Sequence, residues 1–72
     1  MSLLNFILAL QAAEKLLQQY GPLAAGAAAA YAKGGWAGLV LYLEGLIANP
    51  PPVGPPVAEI KAVSEQLKAA HA

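Results

Sequence analysis

Between Pro22 and Ala48 the chain carries only two charges, Lys33 and Glu44, and every other position is apolar, aromatic or glycine. Apolar area on that scale has to be covered by protein or by lipid, because a contiguous exposed patch of it is unfavourable in water. With 72 residues there is room for one domain. A chain this short builds a core worth only a few kcal/mol and ordinarily relies on a disulfide, a metal or a partner. There is no cysteine, which excludes disulfides and thiolate metal sites. The one histidine is His71 and there is no aspartate, so a metal site would rest on scattered glutamates. Association is the remaining source of stability. An apolar content of 58% against 11% charged residues points the same way, since ordinary soluble domains hold roughly 45–50% and 25%.

Four lysines, four glutamates and no arginine give a net charge of zero. Lys15, Lys33, Lys61 and Lys68 are dispersed, whereas phosphate recognition uses clustered cations, so no nucleic-acid partner is expected. The same neutrality argues against a cationic, membrane-lytic role. Leu3 to Leu10, broken only by Asn5, resembles the apolar core of a signal peptide. No Lys or Arg precedes it, however, and Glu14 and Lys15 continue the same helical pattern, so it is expected to be mature structure. The compartment stays unassigned. Catalysis has little to work with. The hydroxyls are Ser2, Ser64 and three tyrosines, and no third group is placed to orient His71 towards Ser64. An enzyme, a cofactor and a small-molecule substrate are not expected.

Three helical stretches and two breaks organise the chain. Ser2 is a suitable N-cap for a first helix reaching about Gln19. Leu3, Phe6, Leu10, Ala13, Leu17 and Tyr20 recur at spacings of three and four, an a/d seam along one face. Leu4, Ile7 and Leu8 make the first two turns apolar nearly all round, which implies burial on every side. Gly21-Pro22 is a stop-start signal, with Gly at C′ and Pro at the first helical position. The apolar stretch 22–48 follows, and Gly34-Gly35 divides it or bends it. Asn49 to Pro56 is too rich in proline to be helical and reads as a stiff spacer, with Pro52-Val53-Gly54-Pro55 matching P-x-x-P. In the last helix, 56–72, Val57, Ile60, Val63, Leu67 and Ala70 form an apolar stripe. Glu59 in its first turn and Lys68 and His71 in its last suit the helix dipole.

Gly26, Ala30, Gly34 and Gly38 fall at four-residue intervals, and along an unbroken helix they would make a smooth groove for close approach of another backbone. Unbroken, the stretch would also be about 40 Å long, enough to cross a bilayer, although Lys33 and Glu44 would each oppose insertion. The expected fold is all-α: a helical hairpin over 1–48, or an open bundle of three or four helices, with a proline-rich linker over 49–55 before the last helix, completed by oligomerisation. The expected function is a structural or assembly protein that self-associates or docks on a larger assembly, such as a small virion component. The expected contact residues are Leu3, Phe6, Ile7, Leu10, Ala13, Leu17, Tyr20, Gly26, Ala30, Gly34, Trp36, Gly38, Val40, Leu43 and Ile47. The alternatives are insertion into membrane lipid and a small regulator whose first helix fills a partner's groove.

Overall fold

The computed structural model describes residues 3–71. They form three helices, α1 (Leu3–Gln18), α2 (Gly21–Ala48) and α3 (Val57–His71), with no strand among the described residues. The all-α expectation holds. Ser2, expected as the first N-cap, and the side chain of His71 lie outside what is described.

Helix α1 closes with a tightened turn, the Tyr20 amide donating to the Leu17 carbonyl at 2.9 Å. Gly21 does not take the left-handed C′ position that the sequence suggested; among the described glycines only Gly35 has a positive φ. Tyr20 instead serves as the N-cap of α2 at φ −120°, ψ 83°. Its carbonyl accepts from the Ala24 amide at 2.9 Å, and Gly21 and Pro22 are already helical. Proline suits that place because first-turn amides have no intrahelical acceptor.

Gly35 divides α2 into two arms, residues 21–34 and 36–48. Its φ of 65° and ψ of −151° lie in a region essentially reserved for glycine. The arms fold back on each other. A straight helix of this length would extend about 40 Å, yet the longest dimension of the molecule is 35 Å. The Tyr42 hydroxyl donates to the Leu23 carbonyl at 3.2 Å, although along a straight helix the two residues would stand about 28 Å apart. A Cβ added to Gly38 would meet the Ala30 carbonyl oxygen at 2.5 Å, and one added to Gly26 would meet Cζ of Tyr42 at 2.7 Å. The pairs Gly26–Tyr42 and Ala30–Gly38 both centre on position 34, as in an antiparallel helical hairpin turning at Gly34-Gly35.

This corrects one expectation, and it shows the break at Gly34-Gly35 that the sequence signalled. The small-residue ladder is not a continuous groove offered to a second chain: Gly26, Ala30 and Gly38 bring two arms of one chain together, and Gly34 is exposed at the turn. Nor does the stretch form one spanning rod. Among the described residues no helix is long and apolar enough to cross a membrane.

Asn49 caps the end of α2, its amide donating to the Gly45 carbonyl at 2.9 Å. Its φ of −131° and ψ of 80° reflect Pro50, whose ring disfavours helical geometry in the residue before it. Residues 49–56 are non-helical, but they do not hold α3 away from the rest. Pro55 is buried, and Gly54 lies close against Pro51 and Leu23, so this segment folds over the start of α2. The Pro56 carbonyl then accepts from the amides of Glu59 and Ile60 at 3.0 and 3.2 Å and opens α3.

One core draws on all three helices. Ile60, Val63 and Leu67 of α3 are buried with Ala9, Ala13 and Leu17 of α1 and with Ala27, Leu39, Val40 and Leu43 of α2. Helix α3 touches α1 and α2 more extensively than they touch each other, which makes it the central element. Its apolar stripe, the narrowest in the chain, is the one most fully enclosed. Where α1 and α2 meet least, the surface is open.

Candidate functional site

The buried face of α1 carries Ala9, Ala13 and Leu17, with Phe6, Leu10 and Leu16 partly covered beside them. At 100° per residue, Leu4, Ile7 and Leu8 lie on the opposite side of the helix, with Leu3 at their edge. These four stay 70% (Leu3), 65% (Leu4), 41% (Ile7) and 48% (Leu8) exposed. They form one contiguous apolar stripe over the first two turns, at i, i+1, i+4 and i+5. Both the seam and the stripe are apolar, but it is the seam from Phe6 onward that packs against the chain's own core, while Leu3, at its start, stays exposed with the stripe. That is the structural meaning of a helix apolar nearly all round.

Further along the same face the character changes. Gln11 and Gln18 continue the heptad position of Leu4, Glu14 that of Ile7, and Lys15 that of Leu8. These polar side chains form one rim of an open groove of about 780 Å³ between α1 and the first arm of α2. Ala24, Ala27, Ala28, Tyr31 and Leu39 supply the rest of its lining, with Leu10, Ala13 and Leu17 at the base of α1. The groove exists because alanine fills little volume: three of them line the α2 wall where larger side chains would have closed the gap. It contains no buried polar side chain to orient a small ligand.

No family model, curated protein or solved structure matches this chain. Its site is therefore argued from its own residues.

The expected contact residues divide into three groups. Leu3 and Ile7 belong to the exposed stripe. Ala13, Leu17, Val40 and Leu43 are buried in the chain's own core, while Phe6, Leu10, Trp36 and Ile47 pack against that core, partly covered. Tyr20 is half-buried beside the α1–α2 turn, and Gly26, Ala30, Gly34 and Gly38 belong to the α2 hairpin. The seam that patterned as an interface with another chain is thus the seam that α1 presents to its own core. Leu10→Asp would accordingly damage the fold and is a poor probe of association. Leu4 and Leu8 are missing from the expected set, although their signal was in the sequence: apolar residues off the main seam of a helix that already had one.

The remaining chemistry is sparse. Among the described residues no group of three His, Cys, Asp or Glu side chains converges on a point. The ion pair between Lys68 Nζ and Glu44 Oε2, at 2.6 Å, links α3 to α2 on the surface with both side chains nearly half-exposed. Glu44 therefore has a partner in its own chain. The Ser64 hydroxyl, buried on the core face of α3, has no hydrogen-bond partner.

Proposed function

We propose that this chain is a non-enzymatic assembly subunit that associates through the outer face of α1. The observation that carries the reading is the Leu3–Leu4–Ile7–Leu8 stripe, which stays exposed on the side of α1 turned away from the core. Fully burying one such side chain is worth about 1.5–3 kcal/mol. Four that are already roughly half covered would add on the order of 3–6 kcal/mol per stripe. A symmetric pair engages two stripes, and the gain then rivals the roughly 4–15 kcal/mol lost in translational and rotational freedom. Association on these terms is reversible and sensitive to concentration. Zero net charge favours it, because identical copies do not repel.

The test is light scattering of the detergent-free chain across micromolar concentrations, alongside flotation with neutral liposomes. A defined oligomer that does not float, and that Leu8→Asp reduces to a folded monomer, is the expected result. A wild-type monomer at every concentration would refute the reading. Flotation of the wild type, abolished by Leu8→Asp, would replace it with insertion of the stripe into lipid.

A further inference from the structure

The stripe occupies the first two turns of α1, and the residues that follow it in the same heptad positions form one rim of the groove. We infer that stripe and groove are mates: the Leu3–Leu4–Ile7–Leu8 stripe of one copy seats in the groove of a second copy, and the second copy's stripe seats in the first. This rests on the proposed self-association and specifies its geometry.

Four observations select a second copy as the occupant. The first is area. A stable interface buries roughly 800 Å² on each partner, somewhat under a fifth of the 4454 Å² this molecule exposes. Two turns of one helix do not supply that alone, whereas the stripe and the adjoining groove together run the length of α1. The second is fit along the axis. The stripe extends about 7.5 Å from Leu3 to Leu8, and the α1 wall of the groove about 12 Å from Leu10 to Gln18, at 1.5 Å per residue. A two-turn apolar segment is accommodated with room at both ends.

The third is register. Gln11 and Gln18 share the heptad position of Leu4, Glu14 that of Ile7 and Lys15 that of Leu8, so a helix laid antiparallel along this face crosses the stripe, then the polar rim that borders the groove, and enters the groove by leaning over that rim towards Leu10, Ala13 and Leu17. A two-fold axis near Gln11 makes both contacts identical, and a closed pair results rather than an open filament. The fourth is chemistry. The α2 side of the groove is lined by Ala27, Ala28 and Leu39, and the α1 rim carries one glutamate and one lysine, so it favours an uncharged apolar guest. Among the described residues the stripe is the one run of neighbouring exposed leucine, isoleucine or valine side chains; Leu41 and Val53 stand apart from it in sequence. Lys15 can lay its methylene stem beside that guest while its ammonium stays in water.

The experiment pairs a stripe variant with a groove variant. Leu8→Asp disables the stripe, and Ala28→Trp fills the groove from an exposed helical position. Each alone should be monomeric by light scattering and keep the wild-type helical circular dichroism and a cooperative unfolding transition. Mixed in equal amounts they should form a dimer, because one intact stripe still meets one intact groove, with affinity at least tenfold below the wild type. If Ala28→Trp perturbs folding, Ala28→Glu asks the same question with charge in place of bulk. Wild-type association in a folded Ala28 variant overturns the pairing but leaves the stripe's role standing. Should both single variants be monomeric and their mixture also stay monomeric, the pairing is equally wrong. If Leu8→Asp associates like the wild type, the underlying reading fails as well.

Discussion

The hydroxyl of Tyr42 donates to the carbonyl oxygen of Leu23 at 3.2 Å, across nineteen residues of what is otherwise helical sequence. It clasps the open end of the α2 hairpin, while Gly35 makes the turn at the other. A half-buried hydrogen bond of this type contributes about 0.5–1.5 kcal/mol net. Tyr42→Phe should therefore lower the unfolding free energy by about 1 kcal/mol, read from urea titration, with no loss of helical content. An unchanged midpoint would mean that the clasp contributes nothing to hairpin closure.

The two turn glycines should respond in opposite directions. Gly35 occupies φ 65°, ψ −151°, where a Cβ is strained whatever the space around it, and Gly35→Ala is expected to cost on the order of 1–3 kcal/mol. Gly34 has open space around its Cβ position and helical geometry, so Gly34→Ala should be neutral or stabilise by up to about 1 kcal/mol. Thermal melts of the two single variants decide this, and a Gly34→Ala penalty as large as that of Gly35→Ala would place the hinge elsewhere.

These glycines also mark how far the fold could be read from the sequence. The dipeptide signalled a break, the helical spacing of apolar residues marked α1 and α3, and Gly21-Pro22 and the proline run bounded the stretch that became α2. The direction of the chain after the break was not legible, because glycine permits a kink and a reversal alike, and contacts nineteen residues apart decided between them. The proline segment misled for a related reason. Its stiffness was evident, but the approach of Gly54 to the start of α2 depends on where the hairpin puts Leu23. At the candidate site, periodicity distinguished the two faces of α1 without saying which would be covered from within. The central α3 makes that choice, and its amphipathic pattern gave no hint that it would be so fully enclosed.

Ser64 is 2% exposed with an unpartnered hydroxyl. Removing a buried polar group that lacks a partner relieves its desolvation penalty. Ser64→Ala should stabilise by about 1 kcal/mol, which for a domain of this size raises Tm by roughly 4–8 °C. Calorimetry showing a lower Tm would indicate that the hydroxyl is satisfied in solution.

The Glu44–Lys68 pair is short but nearly half in solvent, and exposed pairs contribute about 0–1 kcal/mol. Lys68→Ala is expected to change stability by less than about 1 kcal/mol, and molar salt should erase the difference, since the screening length there is roughly 3 Å. A larger, salt-insensitive loss would show that the lysine stem packs on α2.

A hinge one glycine wide has a consequence for how copies of this chain can misassemble. The second arm of α2 is held to the first by contacts that a second molecule supplies equally well. If Gly35 is forced into helical geometry, α2 becomes a continuous rod, and each second arm can find its first arm only in a neighbour. Gly35 thus keeps the arm exchange of a domain swap intramolecular. The Gly35→Ala chain should populate an intertwined dimer whose formation is indifferent to Leu8 and Ala28.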